Sequence, residues 1–248
     1  MIHRSAPRRQ TRHMTIRLLF APLLGLGLLF GSQAALAATP TSFTAHYNVS
    51  QGGEPLGVAT VTLRAAGNGE WNYSEDVQGT AGLAAMLGAS TKETSRFRWK
   101  GDVPEAVSYN YQRQMAGKNK QRQMLVNWTK QQVTVDEGKG PSTYAAVPGM
   151  VERNTTPLAL ALALRDGQQQ IALPVAVRQG VQTQNFKVTG KETVKVPAGS
   201  FNAERIDRTD AERGFSAWYV PDRYLLPIKL SQHDGGDIVM ELVSYSQH

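Results

Sequence analysis

The sequence predicts an all-β fold, a strongly curved antiparallel sheet or incomplete β-barrel with one short apolar helix. Two observations support this prediction. Short runs of β-forming residues recur from Phe43 to Tyr245. Turns rich in glycine separate these runs, as in a sheet whose neighbouring strands are joined by hairpins. Twelve or more strands in an open flat sheet would be unusual, so we expect the sheet to curl.

The run from Leu56 to Arg64 shows the alternation best. Ala59, Val61 and Leu63 are apolar, and each residue between or after them is polar. Successive side chains of a strand point to opposite faces, so one face of this strand is expected to be buried and the other to meet water.

The segment from Gly79 to Ser90 interrupts this rhythm because it is uncharged and rich in alanine and leucine. We expect a short apolar helix here, for which two interpretations remain open. It either fills the end of the barrel as a plug, or it forms a mobile lid over an apolar cavity.

A second helix is expected between Thr156 and Gly167. Its leucines alternate as they would in a strand, but leucine and alanine are strong helix formers. Thr156 suits the N-cap, Pro157 suits the first turn, and Gly167 suits the C-terminal stop. The segment is apolar on all sides, so the helix should be buried against the sheet or inside its curve.

The first 37 residues are typical of a cleaved secretory signal. They contain a basic start, an apolar run from Leu18 to Phe30, and the small-residue site Ala35-Leu36-Ala37, after which we expect cleavage. The apolar run is too short to span a bilayer comfortably. Translation could begin at Met1 or at Met14. We therefore expect a periplasmic protein with no transmembrane segment in its mature form.

The distribution of charge argues against a nucleic-acid partner. The chain has a net charge of +7, but five of its 27 basic residues and none of its 20 acidic residues precede residue 38. The mature chain would therefore carry 22 basic side chains beside 20 acidic ones. The net charge of the mature chain therefore gives little support to a surface that binds nucleic-acid phosphates, and we expect no nucleic-acid partner.

No catalytic or metal motif stands out, so we expect neither enzyme activity nor a cofactor. The chain has no cysteine and no Gly-x-Ser-x-Gly sequence, and only His46, His233 and His248 follow the leader. These histidines have no metal-ligand spacing. The glycine-rich turns also lack the lysine of a phosphate-binding loop. A hydrolase that joins His46 or His233 to a carboxylate and a nucleophile is a third-ranked alternative.

Two pairs of adjacent carboxylates occur, Glu75-Asp76 and Asp136-Glu137. Adjacent residues of a strand point to opposite faces, whereas a glycosidase needs two acids that face each other across a sugar. We expect both pairs to be solvated residues at strand ends.

The central strands are the most basic part of the mature chain. Between Thr91 and Lys130 there are nine basic and three acidic residues. Such strands usually present solvated faces or guarded edges. Alternatively, the basic side chains form a docking surface for anionic lipid headgroups or an acidic partner, for which Lys118, Lys120 and Arg122 are the candidate residues.

The C-terminal third carries the most specific pattern. It contains a turn from Val196 to Phe201, then Trp218-Tyr219-Val220-Pro221-Asp222, then Leu226-Pro227-Ile228-Lys229. With Tyr47, Gly57, Pro104 and the leucine-rich helix that ends at Arg165, this pattern resembles the bacterial exported family known as domain of unknown function 3108. The resemblance implies an envelope protein with a curved antiparallel sheet, and it supplies no catalytic residues.

We therefore expect one domain over residues 38–248, with a non-catalytic binding or chaperone-like function for an apolar or lipid-like molecule of the cell envelope. The uncharged segments would line its pocket. The candidate ligand-lining residues are Leu83, Met86, Leu87, Leu160 and Leu164. The alternative is a structural or interaction protein that docks an envelope partner through its basic central hairpins.

Overall fold

The computed structural model describes residues 41–211, 214–233 and 236–248. These residues belong to one compact unit, Ala37–His248. The predicted leader and its cleavage site lie outside the described residues. None of the helices in the described ranges is long and apolar enough to cross a membrane.

Fifteen strands and two short helices make up the described chain. In chain order they are β1 (Phe43–Gln51), β2 (Glu54–Gly67), β3 (Glu70–Gly79), α1 (Gly82–Met86), β4 (Ser90–Lys100), β5 (Val103–Met115), β6 (Lys118–Asn127), β7 (Gln132–Asp136), β8 (Pro141–Ala145), β9 (Val151–Glu152), α2 (Thr156–Arg165), β10 (Gln170–Val177), β11 (Gly180–Val196), β12 (Gly199–Arg208), β13 (Phe215–Tyr219), β14 (Lys229–Gln232) and β15 (Ile238–Gln247).

All the strands join one sheet, in the order β8-β7-β6-β5-β4-β3-β2-β1-β15-β14-β13-β12-β11-β10-β9. Every neighbouring pair is antiparallel except β9 and β10, which are parallel. The first and last strands of the chain pair at the centre of the sheet, where Phe43 lies opposite Gln247. The predicted fold class, an all-β fold with a curved antiparallel sheet or incomplete barrel, is confirmed, although the described chain has two short helices where the fold prediction named one.

The sheet curls so far that its two edges meet without forming a ladder. The hydroxyl of Tyr144 in β8 donates a hydrogen bond to the carbonyl of Val177 in β10, with an O–O distance of 2.7 Å. The segment between β8 and β9 also contacts the sheet, because the backbone amide of Ala106 donates to the carbonyl of Met150 at 2.9 Å. The result is an incomplete barrel that side chains and one connecting segment bridge.

Large apolar side chains fill one end of this barrel. We call it the aromatic end; it carries the β2–β3, β4–β5 and β11–β12 turns. Trp99 packs edge-on against Phe97, with ring centroids 4.8 Å apart. Tyr245 stacks on Phe43 at 5.0 Å and also contacts Tyr224. Phe43, Phe97 and Tyr224 belong to a large buried hydrophobic cluster, against which Trp99 and Tyr245 pack. Burial of these rings therefore stabilises this end of the barrel.

The helix α2 forms where the sequence predicts it, with a proline in its first turn. Leu158, Leu160, Leu162 and Leu164 are all buried, so the expected burial of the whole helix is confirmed. The N-cap is Thr155 rather than the predicted Thr156. Thr156 instead uses its hydroxyl to donate to the carbonyl of Glu152 at 3.1 Å.

The helix α1 is short and lies on the surface, and none of its five residues is buried. Gly82 and Gly88 flank its core with positive φ angles of 52° and 56°, which side chains other than glycine disfavour. Backbone hydrogen bonds hold both ends of the segment: Thr80 donates to Leu56 in β2, and Leu87 accepts from Ala116. The interpretation of this segment as a buried plug is therefore wrong.

The strand predictions fail mainly in segments whose side chains are polar or in which a proline interrupts the β-forming run. Strands β8 and β9 were not predicted. The β-forming runs Thr183 to Val188 and Thr193 to Val196 belong to one strand, β11, which is bulged between Val188 and Gly190. Strand β14 begins only at Lys229, since Pro227 has no amide to donate to a neighbouring strand.

Candidate functional site

The end of the barrel opposite the aromatic end is hollow. We call this end the rim. Successive turns of an antiparallel sheet alternate between its two ends. The rim therefore carries the β1–β2 turn, the α1 segment, the β5–β6 turn and the β14–β15 turn. Two cavities open here, cavity A of about 590 Å³ and cavity B of about 480 Å³. They share the lining residues Arg153, Pro157 and Gln232, so they are neighbouring compartments of one interior.

Cavity A has apolar walls near the rim. The inward faces of strands β1, β2, β3, β14 and β15 supply most of these side chains, and α1 lies over them. The apolar lining includes Val49, Leu56, Val77, Leu83, Leu87, Leu230, Ile238 and Met240. A cavity of this size with largely apolar walls falls within the range of small-molecule binding sites.

The inner part of cavity A is charged. Glu75 in β3 and Glu93 in β4 lie directly opposite each other in the antiparallel register, and both line the cavity. Glu93 is only 5% exposed. Its Oε2 accepts a hydrogen bond from the Tyr109 hydroxyl at 2.6 Å and lies 3.5 Å from Nε of Arg153. Arg153 is thus the cation that compensates this pair of carboxylates.

Glu75 is the more perturbed carboxylate. Its pKa is raised from 4.5 to about 7, mainly by burial and also by the negative charge of Glu93, while Arg153 acts in the opposite direction. Among the described residues, Glu75 has no hydrogen bond or ion pair. We expected Glu75-Asp76 to be solvated at a strand end; this is wrong for Glu75, which lies in the interior of β3 and faces the cavity.

Glu152 holds the backbone around Arg153 in place. Its carboxylate accepts hydrogen bonds from the backbone amides of Asn154 at 2.8 Å and Thr155 at 3.0 Å. Desolvation raises its pKa, although these hydrogen bonds and that of Ser95 act to lower it. The carboxylate therefore fixes the tight turn before α2, and the Arg153 side chain, 55% exposed, extends into the water-accessible space of both cavities.

Cavity B is bordered by arginines that are already paired. Arg122 and Arg178 both form ion pairs with Glu137 in the β7–β8 turn. These two partners hold the pKa of Glu137 below its usual range, with the hydrogen bond from Arg178 as the main cause. Arg208 makes two hydrogen bonds to Asp210, at 2.9 and 3.0 Å. The positive charge of cavity B is thus largely neutralised within the protein.

The predicted ligand-lining residues separate into two groups. Leu83 and Leu87 line cavity A. Met86 lies on the same helix and is 83% exposed. Leu160 and Leu164 are elsewhere: they pack in a second hydrophobic cluster with Ile171 and other side chains of the sheet. The structure therefore places Leu83 and Leu87 at the cavity, Met86 at the surface, and Leu160 and Leu164 in the packed core.

The predicted docking residues also separate. Lys118 and Lys120 are exposed at the start of β6. The side chain of Arg122 is only 16% exposed, since it pairs with Glu137 and lies over the ring of Tyr111 at 5.9 Å. Arg122 therefore belongs to the interior, and two of the three predicted cations remain at the surface.

The three histidines lie outside the cavities. His46 makes a 3.2 Å contact with the hydroxyl of Thr60, and His248 makes a 3.1 Å contact with that of Thr44. His233 lies 2.8 Å from Asp237 in the β14–β15 turn. Within residues 41–211, 214–233 and 236–248, no three histidine or acidic side chains are arranged to hold a metal ion.

Sequence reasoning did not find Glu75, Glu93 and Arg153. A signal was present in the alternation itself. Glu75 lies two residues from Tyr73, and Glu93 lies four residues from Phe97, so both occupy positions on the inward face of their strands. A carboxylate at an inward position of an otherwise apolar face indicates a cavity or a buried ion pair.

Comparison with known proteins is consistent with this architecture. The crystal structure of a beta-barrel-like protein of domain of unknown function DUF1849 from Brucella abortus superimposes with a TM-score of 0.56 at 10% sequence identity; the match covers 86% of this chain and all of that one. This similarity concerns the fold alone. No curated protein matches the chain in sequence. The family model described as protein of unknown function (DUF3108) matches residues 42–243, and the chain belongs to this family.

Proposed function

We propose that this chain is a non-catalytic binding protein that holds an apolar or lipid-like molecule of the cell envelope in cavity A. The observation that carries the proposal is the contrast between the two ends of the barrel. Aromatic side chains pack the aromatic end, whereas the rim encloses a volume of about 590 Å³ with apolar walls. An open apolar volume lowers the stability of a protein, since side chains that filled it would bury more surface. Binding of a ligand would account for the retention of such a volume.

The charged floor of cavity A supports a ligand with one polar end. Its apolar part would contact the side chains near the rim, and its polar part would reach Glu75, Glu93 and Arg153. Hydrogen-bonding groups placed at one end of an apolar pocket fix the orientation of a ligand.

A fluorescence titration tests the binding function. The uncharged probe 1-N-phenylnaphthylamine should enter cavity A and gain fluorescence, with a micromolar dissociation constant. Ala89 lines the cavity, and we expect Ala89→Trp to fill it and to remove the signal. Ala85 is exposed on the same segment, so Ala85→Trp is the matched control and should bind as the wild type does.

Two outcomes would contradict the proposal. One is a titration in which the folded wild-type protein gives no probe signal. The other is a signal that Ala89→Trp and Ala85→Trp leave equally intact. Mass spectrometry of an organic extract of the purified protein adds an independent measurement, since a bound envelope lipid should be recovered from the wild type and not from Ala89→Trp.

The proposal includes export. The basic and apolar leader before Ala38 supports a location in the periplasm. Fractionation of cells should find the protein outside the cytosol with Ala38 as its first residue. A full-length protein in the cytosol would contradict this part of the proposal without affecting the binding function.

A second function is docking to an envelope protein through the β5–β6 hairpin. The exposure of Lys118 and Lys120 favours it, whereas Arg122 is occupied by Glu137. The double variant Lys118→Glu/Lys120→Glu should lose a partner that the wild type captures after crosslinking in cells. Capture of the same partner by the variant would contradict this function.

A further inference from the structure

We infer that the rim around α1 is a docking surface for an anionic phospholipid bilayer. The surface consists of Leu83, Met86 and Met115 together with Arg113, Lys118 and Lys120, and we call it the α1 patch. The inference does not require cavity A to bind a ligand, since it concerns the outer surface of the rim.

The apolar residues of the α1 patch are unusually exposed. Met86 is 83% exposed, Leu83 is 66% exposed and Met115 is 38% exposed. No residue of α1 is buried, so these side chains do not serve the packing of the helix onto the sheet. Exposed apolar side chains that cluster at one place mark contacts with a partner or a membrane more often than isolated ones do.

The α1 segment and the β5–β6 hairpin form one continuous surface. The amide of Ala116, in the hairpin turn, donates to the carbonyl of Leu87 at 2.8 Å. Leu83, Arg113 and Met115 line the same cavity mouth. The three apolar side chains of the α1 patch therefore come from two elements that the backbone holds together.

The cations of the α1 patch point in a common direction. In the β5–β6 register, Arg113 lies opposite Lys120, and Met115 lies opposite Lys118. Directly opposed residues of an antiparallel pair share a face of the sheet. Farther along the same two strands, Tyr109 lies opposite Met124, and both side chains are buried inside the barrel. The four side chains at the tip thus project on the concave side of the sheet, above the mouth of cavity A.

This combination of groups fits a bilayer surface with negative headgroups. Lysine and arginine attract anionic lipids, while short apolar side chains enter the boundary between headgroups and acyl chains. In the sheet order, β3 and β4 separate the β5–β6 hairpin from Glu54 at the start of β2, and Asp237 lies in the β14–β15 turn beyond β1. Glu137, in the β7–β8 turn beside the hairpin, is already paired with Arg122 and Arg178. The three cations of the hairpin would therefore tilt that side of the rim towards the membrane.

Docking in this orientation places the mouth of cavity A against the bilayer. Leu83 belongs both to the α1 patch and to the lining of the cavity, so an apolar molecule would pass from the bilayer to the cavity without crossing bulk water. This step connects the docking surface with the proposed binding function, but the docking itself stands on the α1 patch alone.

Vesicle co-sedimentation with the mature protein tests the inference. Vesicles of phosphatidylcholine with 30% phosphatidylglycerol should bind the protein at least about tenfold better than vesicles of phosphatidylcholine alone, and added salt should weaken the binding. The variant Lys118→Glu/Lys120→Glu should lower binding to the anionic vesicles at least about tenfold, because it replaces two attractive charges with two repulsive ones.

A matched control changes the same charge at the other end of the barrel. Lys130 and Lys195 are exposed and lie near the β6–β7 and β11–β12 turns, at the aromatic end. The variant Lys130→Glu/Lys195→Glu should retain most of the binding. Equal loss in both double variants would show an effect of net charge and would overturn the docking surface.

Met86 provides a second measurement that does not depend on charge. Its side chain is almost fully exposed, so Met86→Ser should fold normally and bind anionic vesicles about fivefold less. Met86→Trp should bind more tightly and shift its emission to the blue on contact with the vesicles. An unshifted emission, equal binding to both vesicle types, or capture of an acidic protein without any vesicle binding would each overturn the inference.

Discussion

A hydrogen bond between Tyr144 and Val177 links the edge strand β8 to β10, the strand next to the other edge of the open sheet. The phenolic hydroxyl of β8 donates to a carbonyl of β10 at 2.7 Å, and burial raises the pKa of Tyr144 to about 12, so the hydroxyl remains a donor at every physiological pH. This side-chain bond and the Arg178–Glu137 ion pair stand where a closed barrel would have a backbone ladder. The contribution of the hydrogen bond to closure can be measured.

We predict that Tyr144→Phe lowers the free energy of unfolding by about 1 kcal/mol, because it removes one hydrogen bond and leaves the Val177 carbonyl without its partner. Urea unfolding measures this loss. Amide hydrogen exchange should accelerate at β8 and at the end of β10 more than in the central strands. Tyr111→Phe is the control, since no hydrogen bond from the Tyr111 hydroxyl exists in the described part of the chain. Equal losses in both variants would exclude a special role for the Tyr144 bond.

The second prediction concerns the pH dependence of stability through Glu75. Its folded pKa of about 7 lies above the ordinary value of 4.5, so between these values the native state binds more protons than the unfolded chain. Stability due to this group is therefore highest below pH 4.5 and falls as the pH rises to about 7. Glu75→Gln should be more stable than the wild type at pH 8 by about 1–3 kcal/mol, because the substitution removes a buried negative charge. Solvent that reaches cavity A screens part of this charge and limits the gain.

Thermal unfolding at pH 4, 6 and 8 distinguishes this effect from a general one. The gain from Glu75→Gln should disappear at pH 4, where the wild-type carboxyl is protonated in both states. Glu54→Gln, which changes an exposed carboxylate of β2, should shift the melting temperature little at any of the three pH values. A gain from Glu75→Gln that is independent of pH would contradict the assigned cause.

The third prediction concerns Glu105, whose side chain is fully buried. It accepts hydrogen bonds from Arg98 at 2.8 Å, from Lys100 at 3.2 Å and from the backbone amide of Gly149 at 2.9 Å. Desolvation opposes ionisation, but these partners hold the pKa of Glu105 below its usual range. Glu105→Gln should therefore lower the free energy of unfolding at pH 7 by about 2 kcal/mol.

The pH dependence of this variant runs opposite to that of Glu75→Gln. A lowered folded pKa stabilises the protein above the unfolded value, and that stabilisation is lost as the pH falls through the folded value. The difference between the wild type and Glu105→Gln should thus shrink in acid. Lys191→Ala, which breaks an exposed ion pair with Glu204, should leave the urea midpoint unchanged. A loss from Glu105→Gln that does not shrink as the pH is lowered into the acid range would contradict the ionic origin of the effect.

The alternation of apolar side chains was sufficient to predict the fold class and most of the strands. Residues such as Ala59, Val61 and Leu63 bury one face of β2, and this local pattern does not depend on distant partners. Strands β8 and β9 were not predicted because their positions depend on contacts between distant parts of the chain, such as those of Tyr144 and Met150. These contacts join residues that no local periodicity connects.

The candidate site was predicted only at its border. Leu83 and Leu87 were found because an uncharged segment between strands is conspicuous in the sequence. The charged floor was missed because Glu75 and Glu93 meet only through the register of β3 and β4. Arg153 enters the same space from a loop before α2. The register between two strands depends on tertiary contacts, so the sequence of one strand does not show which residue of the neighbouring strand lies opposite Glu75.

The last prediction concerns the close packing of β2, β3 and α1. Gly57 and Gly79 lie directly opposite each other. A Cβ at Gly57 would come within 1.9 Å of the carbonyl oxygen of Gln78, and one at Gly79 would come within 2.8 Å of the Cβ of Ala84. We predict that Gly57→Ala destabilises the protein by about 2 kcal/mol or more, because the backbone of β3 must move.

Gly190 provides the matched control for this substitution. It also lies in a long strand, but a Cβ there would have no neighbour within 4 Å, so Gly190→Ala should keep or slightly raise the urea midpoint. The displacement caused by Gly57→Ala should also reach α1, whose segment hydrogen-bonds to Leu56. Uptake of 1-N-phenylnaphthylamine should therefore weaken in Gly57→Ala at a urea concentration where the variant is still folded. Equal stability of the two alanine variants would show that β2 and β3 can separate without cost, and α1 would then not depend on their close approach.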